Sequence, residues 1–250
     1  MRAEGFQPQR MDRRSAKAIM EQLARFAGDS NCHGLAISFA GWIDADGQGI
    51  SAGPNIGWGK EQLVQIASDY GLACHLENDL DARAWGEWIA MSRNEQEQGD
   101  LLVINAGSGF ALGLVVGGKV LRGARRRAGE IGHIRTDLKT ETNECVESIL
   151  GGAHHTRGQL DDPAFQEVWI AQATQVLAPV ITAFDPAHIV ATGGILDNRV
   201  DLMQRLNAQL IKVLPPAWWS TLELQPSASG EERARIGVVD LAQRAQNGED

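Results

Sequence analysis

The stretch "DLLVINAGSGFALGLVVGGKVLRG", residues 100–123, decides the fold of this chain. Its first part is an apolar run of strand length that ends at a glycine. The remainder predicts two further strands joined at Gly117-Gly118, a dipeptide typical of β-hairpins. Before this stretch, residues 14–91 predict the order helix, strand, loop, helix, strand, helix, which indicates an α/β fold with parallel strands. We therefore predict two α/β lobes, residues 1–95 and residues 96–250.

Two helices in this pattern have distinctive sequences. In "RRSAKAIMEQLARFA", the apolar residues Ile19, Met20, Leu23 and Phe26 have the spacing of an amphipathic helix. In "PAFQEVWIAQATQVLAPVITAFD", residues 163–185, the apolar content predicts a long helix that is interrupted near Pro179.

Composition excludes several classes of protein. The chain has 250 residues, of which 43% are hydrophobic, as in an ordinary globular protein. No apolar run approaches the roughly 20 residues that cross a bilayer, so we expect no membrane partner. The net charge of -9 argues against nucleic-acid binding by this chain alone. We interpret the basic triplet at residues 125–127 as a solvated loop. Three isolated cysteines form no disulfide framework and favour a cytoplasmic location.

Small residues follow predicted strands at three places, "SFAGWID", "NAGSGFALG" and "ATGGIL". Such turns let backbone N–H groups approach an anion closely. Each turn alone is weak evidence, because glycine after a strand is usually only a turn. Together, the three favour a phosphate or sugar cleft between the lobes.

In "LENDLDA", Asn78 and Asp79 come directly after a predicted strand. Ligands of open α/β sheets bind beyond the carboxyl ends of strands. An Asn-Asp pair there can bind two neighbouring hydroxyls, and the aspartate can accept a proton from one of them. Both residues are also favoured helix N-caps, so the pair has a purely structural alternative.

The stretch "RAGEIGHIRTDLKTETNECVES", residues 127–148, collects polar side chains at short spacing. Glu130 lies three residues before His133, and Cys145 and Glu147 follow. A metal site, a catalytic site and a sugar-binding site all use these residue types. A local hydrogen bond at the start of a helix is the structural alternative for Glu130 and His133.

Taken together, these motifs resemble the ROK family, a group of sugar kinases and sugar-responsive repressors. The matches run in family order over residues 33–245 and comprise "GLAISFAGWID", "GPNIGW", "END", "GSGFALGLVVGGKVLRG", "AGEIGH", "CVES" and "IVATGGI". "AGEIGH" in register with "GGKVLRG" is the most specific of them. The resemblance implies a two-lobed, actin-like (ribonuclease H-like) α/β sugar kinase fold. In this reading the first lobe is truncated, and the second carries the nucleotide-binding hairpin.

The resemblance also implies roles for individual residues. A hexose or N-acetyl amino-hexose would be bound by Asn55, Asn78, Asp79, Glu130, His133 and Glu147, with Asp79 as the general base. The phosphates of ATP, held with Mg²⁺, would bind at Gly107, Ser108, Gly109, Gly193 and Gly194. The family relationship further implies a homodimer.

The chain departs from the family pattern in four ways. It has no Asp-x-Gly-Gly-Thr-Lys-like turn near its start, although that turn grips the ATP phosphates in the family's kinases. Of the family's zinc ligands only His133 and Cys145 remain, and structural zinc sites use four, so we expect no metal there. Ala111 and Leu112 add bulk to one phosphate turn, and Thr192 replaces a glycine before the other. These departures predict that ATP handling is weakened or lost.

Two hypotheses follow. The chain is an ATP-dependent sugar kinase with Asp79 as the base, or it is the sugar-sensing domain of a ROK-type regulator without the DNA-binding part. A third reading is that Met1 is not the true start and that the missing turn is encoded upstream.

Overall fold

The computed structural model describes residues 16–30, 32–53, 59–92, 99–136, 144–197, 199–218 and 222–249. The helices are α1 (Ala16–Asp29), α2 (Leu63–Asp69), α3 (Asp79–Ser92), α4 (Val146–Leu150), α5 (Arg157–Asp161), α6 (Pro163–Phe184), α7 (Val200–Val213) and α8 (Gly230–Asn247). The strands are β1 (Gly34–Phe39), β2 (Trp42–Ile43), β3 (Ile50–Ala52), β4 (Ala73–Asn78), β5 (Leu101–Ala106), β6 (Phe110–Val116), β7 (Lys119–Val120), β8 (His188–Thr192) and β9 (Leu224–Pro226). Short 3₁₀ helices cover Ile131–His133, Gly152–His154 and Pro216–Trp218.

The described strands form mixed sheets. β1 and β4 pair in parallel, as the sequence predicts, and β2 and β3 form a short antiparallel pair. In the second half of the chain the strand order is β7-β6-β5-β8-β9, with β5, β8 and β9 parallel and β6 and β7 antiparallel. The predicted hairpin is present between β6 and β7. Gly117 and Gly118 both have positive φ, which glycine adopts without the steric cost of a side chain.

The buried face of α1 differs from the predicted one. Ala16, Met20, Ala24 and Ala27 are buried, whereas Phe26 is 49% exposed. The helix therefore buries Met20 and three small residues on the side that meets α2 and β1, and it turns its largest apolar side chain outward. The prediction that Phe26 belongs to the core face was wrong.

α6 continues through Pro179 without interruption, contrary to the prediction. Pro179 is exposed, on the outer side of the helix. The carbonyl that loses its N–H partner to a proline can bond water on an exposed face, which lowers the cost of the residue there. No helix within the described ranges is both long enough and apolar enough to cross a membrane.

Separate apolar clusters lie in the two halves of the chain. One contains buried residues of α1, β1 and α2 together with Leu76, and another is built from the five-stranded sheet with α6 and α7. A third cluster joins Leu80 and Trp85 of α3 to residues of β5, β6 and β8 and to Leu241 of α8. α8 also contacts β1 and β4 of the first half. α3 and α8 thus link the halves, and the division at residues 95 and 96 stays a prediction.

Candidate functional site

A cleft opens where β1, β4 and β5 reach their carboxyl ends. It is lined by Ala40, Gly41, Asn78, Asp79, Leu80, Arg83, Asn105, Ser108, Gly109, Phe110, Ala111, Leu112, Glu130 and Glu147. Four of the predicted sugar ligands are among these residues: Asn78, Asp79, Glu130 and Glu147. They come from β4, α3, the turn before the first 3₁₀ helix, and α4.

Asn78 ends β4 and caps α3 with its side chain. Its Oδ1 accepts hydrogen bonds from the N–H groups of Leu80, at 2.9 Å, and Asp81, at 3.2 Å. Its Nδ2 donates to the carbonyl of Gly41 at 3.1 Å. The capping alternative is therefore real for Asn78. One N–H of the amide is left for a ligand, because Nδ2 carries two hydrogens.

Asp79 is the first residue of α3, and its side chain is exposed to the cleft. Protein atoms nevertheless surround the carboxyl group on most sides. This desolvation raises the pKa of Asp79 above its ordinary value, while the positive charge of Arg83 lowers it. A carboxyl group with a raised pKa is a stronger proton acceptor than an ordinary aspartate.

Glu130 lies next to His133 and Trp42. Its Oε2 is 3.4 Å from Nε2 of His133, and the ring of His133 packs edge-on against Trp42 with centroids 5.1 Å apart. Burial raises the pKa of Glu130, the hydrogen bond from Trp42 and the charge of His133 lower it, and Asp79 and Glu147 raise it further. The Glu130 side chain makes no capping bond to the 3₁₀ helix. His133 is not among the lining residues, but its ring contacts the Glu130 carboxylate.

Glu147, in the first turn of α4, reaches the cleft over Gly109. A methyl group built on Gly109 would collide with the Glu147 carboxylate. The glycine therefore leaves the space that the carboxylate occupies.

Replacing Gly109 by alanine is expected to displace the Glu147 carboxylate. Because the colliding atoms lie at the end of a flexible side chain, the free energy of unfolding should change by less than about 1 kcal/mol. If the cleft binds a sugar, as the family resemblance implies, its affinity should fall about 10-fold, the loss of roughly one hydrogen bond. Calorimetric titration and thermal unfolding would measure both quantities. Gly158→Ala, at a position with open space around it, is the control. Unchanged affinity in the Gly109 variant would show that the position of Glu147 does not matter for binding.

The turn after β5 contains the predicted phosphate ligands Gly107, Ser108 and Gly109. The Gly107 carbonyl accepts a hydrogen bond from Gly152 N–H at 2.7 Å, and the Ser108 carbonyl accepts one from Ala153 N–H at 3.0 Å. The carbonyls are thus held against the second 3₁₀ helix. Ser108 and Gly109 line the cleft, and Gly107 lies beside it.

The turn after β8 lies against the turn after β5. Gly193 has φ of 100°, and a methyl group there would collide with Ala106 and Gly107. Gly193 therefore permits the close approach of the two turns. Neither Gly193 nor Gly194 is among the residues that line the cleft.

Leu112 lines the cleft next to the phosphate turn. Its side chain is 3% exposed and belongs to the apolar cluster built from the five-stranded sheet, because alternate residues of β6 face opposite sides of the sheet. The crowding expected from Ala111 and Leu112 stays a prediction.

Two predicted features have a different status. Asn55 lies outside the described residues, so its proposed contact with the sugar stays a prediction. Nε2 of His133, a candidate zinc ligand, lies against Glu130. The described ranges contain no group of three or more potential metal ligands.

Sequence reasoning missed Arg83. Its Nη1 donates to Oδ1 of Asn105, at 3.4 Å, and to Oγ1 of Thr192, at 3.2 Å, and its Nε donates to the carbonyl of Gly230 at 3.1 Å. The sequence signal that could have identified Arg83 is its spacing from Asp79. Arg83 follows Asp79 by four residues at the start of a helix, so both side chains lie on one face.

Arg126 was also misread, because the sequence suggested a solvated loop for residues 125–127, and Arg122 was not singled out. Both arginines form ion pairs with Glu77, which is fully buried. Arg122 Nη2 is 2.6 Å from Glu77 Oε2, and Arg126 Nη2 is 3.0 Å from Oε1. Arg127 lies over the ring of Trp42, with its guanidinium carbon 4.7 Å from the ring centroid. These contacts join β4 to the loop that carries Glu130.

Comparison with known proteins agrees with this geometry. The model of the ROK family matches residues 9–245. A glucokinase of Pyrobaculum calidifontis is 24% identical over 250 residues, covering 83% of this chain and 82% of that protein. A putative xylose repressor of Caldicellulosiruptor sp. (strain Rt8B.4) is 30% identical over 114 residues, covering 45% of this chain and only 28% of that protein.

The fold has solved counterparts. A ROK family glucokinase from Streptomyces griseus, crystallised with glucose and AMPPNP, aligns with a TM-score of 0.72 at 22% identity. The alignment covers 92% of this chain and 89% of that chain. The predicted α/β, actin-like fold is confirmed by this likeness and by the mixed sheets of the structure.

Proposed function

Because the chain belongs to the ROK family, we propose that it binds a hexose or an N-acetyl amino-hexose in the cleft and phosphorylates it with ATP. The observation that carries the proposal is the convergence of Asn78, Asp79, Glu130 and Glu147 on one cleft. These residues are separated by up to 69 positions in the sequence, from 78 to 147, and stand on different elements. Hydroxyl-rich ligands are bound by such sets of carboxylates and amides.

The proposed contacts follow from the free hydrogen-bonding groups. Glu130 and Glu147 accept from ring hydroxyls, and the remaining N–H of Asn78 donates to one. His133 holds Glu130 in place through its 3.4 Å contact. The glucokinase of Streptomyces griseus was crystallised with glucose, which supports a hexose as the ligand class.

In the proposed reaction, Asp79 accepts the proton of the attacking hydroxyl. Desolvation raises the pKa of this carboxyl and so favours proton transfer to it. Mg–ATP would supply the transferred phosphoryl group. Its phosphates would bind at the turn after β5, where the N–H groups of Ser108 and Gly109 meet no acceptor within the described part of the chain. Ser108, Gly109 and the neighbouring Gly107, Gly193 and Gly194 would hold them.

A second candidate function is sugar sensing without turnover, as the ligand-binding domain of a regulator. The 30% identity to a putative xylose repressor favours it, over a region that includes 45% of this chain. In that case sugar would bias the closure of the lobes and the association of a homodimer. The homodimer and the cytoplasmic location are parts of the proposal, and light scattering with and without sugar would test the former.

The proposal predicts saturable heat on titration with at least one sugar from a panel of glucose, fructose, mannose, allose and N-acetylated hexosamines. The affinity should fall as the pH is lowered from 7 towards 5. Glu130 and Asp79 have raised pKa values, so they become protonated at a higher pH than ordinary carboxyls and then lose acceptor capacity. Glu130→Gln should bind more weakly at pH 7 and show a flatter pH dependence.

The same titrations, repeated with Mg–ATP and a coupled assay for ADP, separate the two functions. Sugar-dependent ADP identifies a kinase. Sugar heat without ADP favours the sensor. No heat with any sugar of the panel would reject the proposed site altogether.

A further inference from the structure

Trp42 contacts Glu130, one of the proposed sugar ligands. Its indole donates a hydrogen bond to the Glu130 carboxylate, and the ring of His133 packs edge-on against the indole with centroids 5.1 Å apart. Nε2 of His133 is 3.4 Å from Oε2 of the same carboxylate. Trp42 itself is not among the described residues that line the cleft. Its side chain can therefore act on a ligand through Glu130 and not by direct contact.

The backbone at Trp42 is fixed next to Asn78, another of the proposed sugar ligands. The carbonyl of Gly41 accepts a hydrogen bond from Nδ2 of Asn78 at 3.1 Å. The pairing of β2 with β3 is irregular directly after Trp42, and such an irregularity redirects side chains from the regular alternation of a strand. Residues 41 and 42 thus join Asn78 to Glu130, although the two ligands stand on different elements.

Arg127 covers a face of the indole. Its guanidinium carbon is 4.7 Å from the centroid of the Trp42 ring, within the range of a cation–π interaction. Its Nη2 donates to Oγ of Ser51 at 3.4 Å, and that hydroxyl donates to the Trp42 carbonyl at 3.1 Å. Arg127 therefore ties the loop that carries Glu130 to the ring of Trp42 and, through Ser51, to its backbone. These contacts restrict the directions in which the indole N–H can point.

The Glu130 carboxylate faces two like charges. Burial raises the pKa of Glu130, and the charges of Asp79 and Glu147 raise it further. The hydrogen bond from Trp42 is the largest of the effects that lower this pKa, ahead of the charge of His133. The Glu130 side chain is 23% exposed, so a carboxylate without these donors could turn away from its neighbours into solvent. The indole N–H opposes this rotation.

We propose that Trp42 is a positioning residue for the sugar site, whose indole N–H fixes the Glu130 carboxylate in the orientation that accepts a sugar hydroxyl, and that Arg127 holds the indole in place. This inference rests on the proposed sugar site and assigns no contact between Trp42 and the sugar. A carboxylate that is fixed before the ligand arrives loses little conformational freedom on binding. The effect of Trp42 is therefore an effect on sugar affinity.

Calorimetric titration of Trp42→Phe tests the proposal with the sugar of the panel that binds the parent most tightly. Phenylalanine keeps an aromatic ring for Arg127 and His133 but has no N–H to donate. The affinity should fall about 5- to 10-fold, the cost of ordering one long side chain on binding. Trp88→Phe is the matched control, because Nε1 of Trp88 donates to the Gly99 carbonyl at 3.1 Å and Trp88 is not among the described lining residues. Its affinity should stay within about 2-fold of that of the parent.

Combination with Glu130→Gln separates positioning from a general structural role. A neutral amide accepts a weaker hydrogen bond than a carboxylate, so Trp42→Phe should cost at most about 3-fold in that background. Titrations between pH 7 and pH 5 give a second readout. Without the indole bond the pKa of Glu130 should rise, so the affinity of Trp42→Phe should begin to fall at a higher pH than that of the parent. His133, Asp79 and Glu147 face Glu130 in both proteins, so the difference reports the indole bond.

Arg127→Ala tests the second part of the proposal and leaves the indole unchanged. Loss of a cation–π contact at an exposed arginine should weaken sugar binding about 2- to 5-fold. Arg127→Lys can keep a cation on the ring and should recover part of this loss. Arg125→Ala removes another exposed arginine of the same loop and is the control. Melting temperatures verify that each variant is folded.

The outcomes are distinct. If Trp42→Phe binds the sugar as tightly as the parent, or loses the same factor with and without Glu130→Gln, the inference is overturned while the proposed sugar site stands. If Trp42→Phe does not fold, the Arg127 variants decide, and an affinity of Arg127→Ala equal to that of the parent rejects the inference. If no sugar of the panel binds the parent, the proposed function itself has failed.

Discussion

Replacing Asp79 by asparagine is expected to reduce sugar-dependent ADP formation by about 10²- to 10⁴-fold, the usual contribution of a general base. Asparagine has nearly the same shape and can still bond a hydroxyl, but it cannot accept the proton. Sugar affinity should therefore change only a few-fold, so the loss appears in kcat and not in KM. The coupled ADP assay with saturating sugar and Mg–ATP measures this split.

The control is Asp201→Asn, which makes the same substitution at an exposed aspartate at the start of α7. A variant of Asp79 as active as the parent would remove Asp79 from the mechanism. If the parent protein binds sugar but forms no ADP, the parent and the variant are compared by their sugar affinity. In that case too, Asp79→Asn should change sugar affinity only a few-fold, because asparagine keeps a hydrogen bond to the hydroxyl.

Glu77→Gln is expected to destabilise the protein by about 3–5 kcal/mol, as breaking one side of a buried ion pair does. Glu77 is fully buried, and the substitution leaves Arg122 and Arg126, 16% and 19% exposed, without their carboxylate. Arg126 also holds an unfavourable positive φ of 52°, which its ion pair helps to stabilise. Chemical denaturation at pH 7 would measure the change in the free energy of unfolding.

The pH dependence of this loss follows from the pKa of Glu77. Burial alone would raise it, but nearby His75 and the bonds and charges of Arg122 and Arg126 outweigh burial and lower it to about 2 from 4.5. A carboxyl whose pKa is lowered in the folded state stabilises the fold above the unfolded pKa, and this stabilisation is lost as the pH falls towards the folded pKa. The difference between parent and variant should therefore be full at pH 7 and shrink below about pH 4.5.

Glu167→Gln is the matched control for Glu77→Gln. Glu167 pairs with Arg205 at 2.7 Å, a distance like that within the buried cluster, but its side chain is 73% exposed. Its loss should cost less than about 1 kcal/mol.

Asp81 can supply a negative charge in place of the one that Glu77→Gln removes. Burial and the charge of Glu77 raise the pKa of Asp81, so removing that charge favours ionisation of Asp81 beside the arginines. A cost of Glu77→Gln no larger than that of Glu167→Gln would show that this compensation is complete.

Local patterns predicted most of the fold. The hairpin at Gly117-Gly118, the parallel strands β1 and β4, and the helix α3 all follow from hydrophobic periodicity and from glycine turns. These features depend on residues close together in the chain, so a short window contains the information. The order of the motifs along the chain was enough to identify the family, which the match over residues 9–245 confirms.

The buried faces and the continuity of helices were less predictable. Phe26 and Pro179 look like a core residue and a helix break in sequence, yet the helix packing turns both outward. Which face of a helix is buried is decided by its neighbours, and small residues can form that face as well as large ones.

For the site, the sequence by itself determined which residue types are present and where polar side chains follow the strands. Only the tertiary structure decided that the side chain of Asn78 caps α3, that Glu77 forms ion pairs with two arginines, and that Arg83 lines the cleft. The reason is physical. The place of a buried charged or polar side chain depends on the hydrogen-bond partners that offset its desolvation. The partners of Arg83 lie at positions 105, 192 and 230, which come together only when the sheets and α8 assemble.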